Sequence, residues 1–218
     1  MYTYLFDTSA VVHVYLPEGN RGRKQKRIIE HILEQRTTFH KATLYIPSFC
    51  IAEVFNTFAR KRFRPKENES ALSAEEYKRC LDHFRQDIIW ERRLYSYDLS
   101  RNHILAVDEI IPIEHQLRRR DESDHLTTLD ILVIAMACEL AYVGDPEKVF
   151  LVTCDRRMKD VFEELKRTDE RKLKRLKVER VVIGEPEERR WIAPKVILLQ
   201  EARASDIPHL ERQPRLNV

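Results

Sequence analysis

Residues 149–155 have the sequence VFLVTCD, in which five apolar or β-branched residues precede a polar turn. A similar arrangement occurs near the start of the chain, where YLF at residues 4–6 precedes Asp7 and then TSAVV at residues 8–12. Continuous apolar runs of this kind indicate strands that are buried on both faces, as in a parallel sheet covered by helices. Because such strands alternate with helical segments along the chain, the sequence predicts an α/β fold around a parallel sheet.

Two acids lie where these strands end. Asp7 closes the first apolar run, and Asp155 lies in the turn that leaves the run at residues 149–153. Open parallel sheets bind their ligands just beyond the carboxyl ends of the strands. We therefore expect both carboxylates at the edge of the sheet where a functional site would form.

Two more acids lie within strongly apolar helical segments. Glu53 belongs to IPSFCIAEVFNTFA at residues 46–59, a strand end that leads into a helix beginning near Pro47 or Ser48, and its apolar flanks predict little access to solvent. Asp130 opens the helix ILVIAMAC at residues 131–138, which is apolar on every side and must be enclosed by the fold. The alternative for each acid is a helix cap or a solvated turn residue, and that alternative is strongest for Asp130 as an N-cap.

The sequence does not place a basic partner at the same offset from each of the four acids. An ionised carboxylate near an apolar interior costs several kcal/mol unless a positive charge pairs with it, and no Lys or Arg recurs at a fixed offset from all four acids. A divalent cation would supply that charge. Mg²⁺ and Mn²⁺ prefer oxygen ligands, so a set of Asp and Glu without His or Cys suits them and does not suit zinc.

The four acid-bearing segments together resemble a known family. FDTS (6–9), AEVFN (52–56), LDILVIAMA (129–137) and VTCD (152–155) are similar, in order and spacing, to the four signatures of PIN-domain nucleases, and they span roughly residues 1–165. The resemblance implies a three-layer α/β/α sandwich around a parallel sheet, one or two Mg²⁺ or Mn²⁺ ions, and ribonuclease activity on single strands. It assigns metal-binding and catalytic roles to Asp7, Glu53, Asp130 and Asp155, with supporting hydroxyls from Ser9 and Thr153.

Three further residues are candidates through their positions beside these acids. Asn56 lies three residues after Glu53, hence on the same helix face, where it could orient the carboxylate. Arg156 and Arg157 directly follow Asp155 and are expected to hold an RNA phosphate near the metal. A solvated helix start is an equally good interpretation of either arginine.

The length of 218 residues predicts a single PIN-like domain over residues 1–218. Its motif-bearing core spans about 1–165, with a helical insertion at about 64–92 that a capping box at Ser73 opens. A basic extension covers 166–218, with strands predicted at 181–183 and 196–199. The chain is much longer than the small VapC toxins of the family, so a role as the toxin of a toxin–antitoxin pair stays open. The resemblance and the leftover amphipathic faces also imply a homodimer.

The composition argues against several classes of protein, namely nucleotide-binding and membrane-spanning ones. With only four Gly, the chain contains neither a dinucleotide fingerprint nor a phosphate-binding P-loop. The four Cys form no C-x-x-C pair, and no apolar run reaches the roughly 18 residues that span a bilayer, so we expect a soluble cytoplasmic protein with reduced thiols. Because the net charge is only +3, any binding of nucleic acid must depend on local basic clusters.

These observations predict a metal-dependent ribonuclease, in which a cation activates water for attack on a phosphodiester. One alternative is a non-catalytic RNA-binding or partner-docking module in which the acids are structural. A phosphatase with Asp7 as nucleophile is a second alternative, although the second Asp expected two residues later is replaced by Ser9. The acids alone also leave open a DNA flap nuclease.

Overall fold

A five-stranded, fully parallel sheet forms the centre of the protein. The computed structural model describes residues 1–17, 23–39, 42–67, 69–91, 93–117, 125–167, 195–203 and 206–208. The strand order is β3-β2-β1-β4-β5. The strands are β1 (Tyr2–Phe6), β2 (Ala42–Pro47), β3 (Tyr95–Tyr97), β4 (Val149–Thr153) and β5 (Lys195–Leu198). The predicted parallel sheet is therefore confirmed.

The two strands that first indicated the fold lie side by side in the middle of the sheet. In their register, Phe6 of β1 is the partner of Val152 of β4. All five residues of β4 are buried, as are the last three of β1. Because the sheet is parallel, Asp7 and the residues after Thr153 leave these neighbouring strands at the same edge.

In the described ranges, seven α-helices cover the sheet in two groups. The helices α1 to α4 pack mainly against one another, whereas α5 packs against α6 and α7, and this division gives the predicted three-layer α/β/α sandwich. Their bounds are α1 (Thr8–Tyr15), α2 (Arg23–Phe39), α3 (Ser48–Phe63), α4 (Ala74–Arg85), α5 (Arg101–Leu117), α6 (Thr128–Val143) and α7 (Arg156–Arg167). Of the helices in the described ranges, none is long and apolar enough to cross a membrane.

The apolar helix α6 is enclosed, as predicted, and every residue from 131 to 138 is buried. Asp130 is nevertheless not its N-cap. The cap is Thr127, whose hydroxyl accepts a hydrogen bond from Asp130 N at 3.2 Å, while the Asp130 carboxylate accepts one from Thr127 N at 2.7 Å. This reciprocal capping box places the start of the helix three residues earlier than the apolar run indicates.

The predicted insertion contains α4, and Ser73 caps it as expected. Ser73 N donates to Glu76 Oε2 at 2.7 Å, and Glu76 N donates to Ser73 Oγ at 3.1 Å. A π-helical turn, Gln86–Trp90, follows α4 directly, so the helical segment ends at Trp90, near the end of the insertion predicted at about 64–92. The inner face of α4 is anchored by Phe84, which is fully buried and contacts the rings of Tyr15, Phe55 and Phe58.

The C-terminal extension contributes an edge strand to the sheet. The predicted strand at 196–199 corresponds to β5, which pairs with β4. The predicted strand at 181–183 and most of the basic segment before it lie outside the described residues. The division into core, insertion and extension stays a prediction.

Candidate active site

The site is centred on Asp7, at the junction between β1 and α1. Its backbone N–H extends the sheet by donating to Val152 O at 3.0 Å, and its carbonyl accepts from Ala10 N and Val11 N at 3.1 Å each. The main chain therefore passes directly from strand to helix at this residue. This geometry fixes the carboxylate at the edge of the sheet, where only 5% of the residue is exposed.

Two hydroxyl groups hold the Asp7 carboxylate. Ser9 Oγ and Thr153 Oγ1 both donate to Asp7 Oδ2, the latter at 3.1 Å. Each hydroxyl is itself fixed, because Cys154 N donates to Ser9 Oγ and Asp155 N donates to Thr153 Oγ1, both at 2.9 Å. The structure thus joins the turn after β1 to the turn after β4, and it brings the two residues predicted as supports onto one oxygen of Asp7.

Among the described residues, no basic side chain pairs with the Asp7 carboxylate. Burial raises its pKa to about 6, hydrogen bonds from Ser9 and Thr153 oppose that rise, and the nearby charge of Asp130 adds to it. None of the ion pairs among the described residues involves Asp7. A positive ligand is therefore favoured at this position.

Glu53 reaches the same region from α3, and its side chain is partly buried, so it keeps some access to solvent despite its apolar flanks. Its partner is Thr8, whose hydroxyl donates to Glu53 Oε2 at 2.7 Å. This contact is not among the predicted ones, although the hydroxyl residue directly after Asp7 is a sequence signal for it. Asn56 is exposed, and within the described part of the chain no hydrogen bond joins it to Glu53. Its orienting role stays a prediction.

Asp155 is bound by a residue of α7, the helix that it directly precedes. Arg157 N and Nε donate to Asp155 Oδ1 at 2.8 and 3.1 Å, and Arg157 Nη2 donates to Oδ2 at 2.6 Å. A further N–H of the guanidinium, on Nη1, donates to His125 O at 3.1 Å. Arg157 therefore connects the start of α7 with the segment that precedes α6, and Asp155 also serves as a turn acceptor there.

The donor set suits a hard cation, although the side chains are not gathered around one point. Asp7 and Asp130 interact electrostatically, Glu53 binds the hydroxyl of Thr8, the residue after Asp7, and the backbone N–H of Asp155 binds Thr153, which in turn donates to Asp7. Across the described ranges, no group of three or more His, Cys, Asp or Glu could hold a metal ion. The four-acid metal site thus stays a prediction.

Two cysteines beside the site do not offer soft ligands at neutral pH. Burial and the charge of Asp7 raise the pKa of Cys154 to about 12. Burial also raises the pKa of Cys50 far above its usual range, a rise to which the charges of Asp7 and Glu53 contribute. In the metal-free protein both thiols are therefore held in the neutral form, and the carboxylate oxygens at the site are the kind of ligand that Mg²⁺ and Mn²⁺ prefer.

Comparison with known protein families gives a match to the PIN domain over residues 4–164, and the chain belongs to that family. PIN domains are generally nucleases, and they typically use a divalent metal. The match includes all four acids singled out in the sequence.

Among solved structures, the chain is similar to one chain in a crystal structure of VapBC2 from Rickettsia felis bound to a DNA fragment from their promoter. The identity is 18%, the TM-score is 0.45, and the alignment covers 73% of this chain and 92% of the other. The search of curated proteins gave no match.

Proposed function

We propose that this protein is a Mg²⁺- or Mn²⁺-dependent endoribonuclease that hydrolyses single-stranded RNA. The observation that carries the proposal is the buried Asp7 carboxylate at the carboxyl edge of the sheet, which has hydroxyl donors but no ion-pair partner among the described residues. In a PIN domain, that place suits a cation that takes part in phosphodiester hydrolysis.

In this proposal, Asp7, Glu53, Asp130 and Asp155 would hold the cation, directly or through water. When bound, the cation would lower the pKa of a water molecule and neutralise charge on the phosphodiester. Ser9 and Thr153 orient Asp7 by binding one of its oxygens, and Thr8 does the same for Glu53. These hydroxyls fix the orientation of Asp7 and Glu53, whereas Asp155 would have to exchange its hydrogen bonds with Arg157 for the cation.

RNA would approach along the start of α7. Arg156 and Arg157 follow Asp155, and both guanidinium groups lie partly or largely in solvent. In the structure each is paired with an acid, Arg156 with Glu201 and Arg157 with Asp155. A phosphate of the RNA would therefore exchange with a carboxylate of the protein at either position.

We extend the proposal to protein partners, namely a second copy of the chain and an antitoxin, with the protein acting as the toxin of the pair. Ile104 and Leu105 on α5 support a protein contact, because each is 56% exposed despite its apolar side chain. Sedimentation of the purified protein tests the dimer, and a monomer at every concentration would exclude it. Growth arrest on expression, relieved by a co-expressed neighbouring gene, tests the toxin role.

Cleavage of a labelled single-stranded RNA by purified protein tests the proposal directly. We expect cleavage with Mg²⁺ or Mn²⁺, none in EDTA, and a loss of about a hundredfold or more in Asp7→Asn, because a metal contributes several kcal/mol to such a reaction. Asp160→Asn is the matched control, since Asp160 is an exposed acid on α7. Equal cleavage by wild type and Asp7→Asn would contradict the proposal.

A second candidate function is a non-catalytic RNA-binding module with the same fold. The observation that favours it is the lack, within the described ranges, of three acids close enough to hold one ion. Retention of the RNA without cleavage, at saturating Mg²⁺ or Mn²⁺, would support this function in place of the first.

A further inference from the structure

The turn that follows β5 lies against the segment that carries Asp155. Leu199 N donates to Thr153 O at 3.0 Å, and the Gln200 side-chain amide donates to Cys154 O. These contacts place Gln200 and Glu201 at the carboxyl edge of the sheet, beside the candidate active site. Both residues lie beyond the 4–164 segment that matches the family.

Three cationic side chains converge on this turn. Arg156 Nη2 binds Glu201 Oε1, and Lys159 Nζ binds Glu201 Oε2 at 2.9 Å. Lys24, from α2, donates to Gln200 O at 3.4 Å. We refer to Lys24, Arg156 and Lys159 as the basic ridge.

Glu201 is bound in the way in which a phosphate would be bound. Each carboxylate oxygen takes one cation, and the two non-bridging oxygens of a phosphodiester present the same acceptors. The hydrogen bonds from Lys159 and Arg156 lower the pKa of Glu201, so this carboxylate is ionised at neutral pH. The structure therefore shows an anion on the ridge, supplied by the chain itself.

Displacement of the Glu201 carboxylate from the basic ridge costs little free energy. Arg156 and Glu201 are well exposed, with side-chain exposures of 70% and 40%, and exposed ion pairs contribute little to stability. A polyanion that binds in place of Glu201 also gains from the release of its own counterions. Single-stranded RNA can thus compete with one tethered carboxylate.

We propose that the basic ridge is a phosphate-binding site for the RNA backbone at the entrance to the active site, and that Glu201 occupies this site in the free protein. The inference rests on the proposed action on RNA and adds a path by which the strand reaches Asp155. Glu201 acts as a built-in competitor, which weakens binding of RNA without touching the acids of the active site.

RNA affinity measured in EDTA, where cleavage is not expected, tests this inference. Fluorescence anisotropy of a labelled single-stranded RNA is recorded over a range of salt concentrations for wild type, Glu201→Gln and Glu147→Gln. Glu147 is the matched control, because it is an exposed acid in an ion pair with Lys195 at the opposite edge of the sheet. Both substitutions remove one negative charge, but only the first frees the ridge.

We expect Glu201→Gln to bind RNA roughly three- to tenfold more tightly than wild type and with a steeper dependence on salt, because two cations become available to phosphates. Glu147→Gln should change the affinity less than about twofold, since its charge lies far from the ridge. Adding Arg156→Gln to Glu201→Gln should abolish the gain.

Equal affinities of the two single variants would overturn the inference, as would weaker binding by Glu201→Gln, which would assign Glu201 to holding the turn in place. If wild type cleaves RNA with metal while the variants bind alike, only this inference fails. If none of the proteins binds or cleaves RNA, the proposed function fails as well.

Discussion

Asp7 and Asp87 are both buried aspartates, yet their surroundings differ. Asp87 is fully buried, and its carboxylate accepts from Tyr15 OH at 2.7 Å and from Arg93 Nε at 2.8 Å, with a second guanidinium N–H on the same residue. Asp7 receives hydroxyl groups from Ser9 and Thr153 and has no ion-pair partner among the described residues.

The difference separates a structural acid from a candidate functional one. A buried charge that the fold itself needs is accompanied by a cation of the same chain, as Arg93 accompanies Asp87. A buried carboxylate with a raised pKa and no such cation lowers the stability of the fold, and sites of this kind are concentrated where proteins bind ligands or react. Asp87 therefore ties a turn to the core, whereas Asp7 is available to a ligand.

The largest effect that we expect is the change in the free energy of unfolding when Asp87 is replaced. Asp87→Asn should lower the free energy of unfolding by about 3 kcal/mol, because it removes the buried partner of Arg93 and leaves the guanidinium only the exposed Glu91 as a counter-charge. Urea unfolding without metal measures the change, with Asp82→Asn as the control on an exposed acid of α4. We expect Asp7→Asn to unfold at the same or a higher urea concentration than wild type. A stable Asp87→Asn or a strongly destabilised Asp7→Asn would reverse the two roles.

The second effect that we expect is a dependence of the unfolding free energy on pH, which is due to Asp7. Its pKa is raised in the folded state from the ordinary 3.8 to about 6, so the folded protein binds more protons than the unfolded chain between these values. Stability from this group is therefore greatest below pH 4 and falls as the pH rises to 6, by about 3 kcal/mol. The difference in unfolding free energy between wild type and Asp7→Asn, measured without metal from pH 4 to 7, isolates this contribution. A difference that is constant with pH would contradict it.

Much of the site around Asp7 could be predicted from the sequence, because it depends on local patterns. Apolar runs at residues 4–6 and 149–153 fix two neighbouring parallel strands, and an acid near the end of each strand is then brought to the same edge. The hydroxyl residues follow these acids within two positions or precede them by two. The capping box of Thr127 and Asp130 is also a local pattern, although the apolar run beginning at 131 indicates a later start of the helix.

The parts that could not be predicted depend on partners far apart in the sequence. The buried position of Asp87 depends on Tyr15, which is 72 residues away, and on a π-helical turn that directs the Asp87 carboxylate into the interior. Asp87 is buried in line with Cys80 and Phe84, but no sequence pattern shows that Arg93 meets it. Glu201 meets Arg156 because β5 pairs with β4; the sequence predicts the strand at 196–199 but not which strand it pairs with.

Metal-induced thermal stabilisation tests the central claim, that Asp7 holds a ligand and Asp87 holds the fold. Binding to the folded state alone stabilises it by about 2.7 kcal/mol at a hundredfold excess over Kd, so Mn²⁺ should raise the Tm of wild type and, by a similar free energy, that of Asp87→Asn and of Asp160→Asn. Asp7→Asn should lose most of this gain while melting no lower than wild type in EDTA. A full metal-induced gain in Asp7→Asn, or no gain in wild type, would contradict the account.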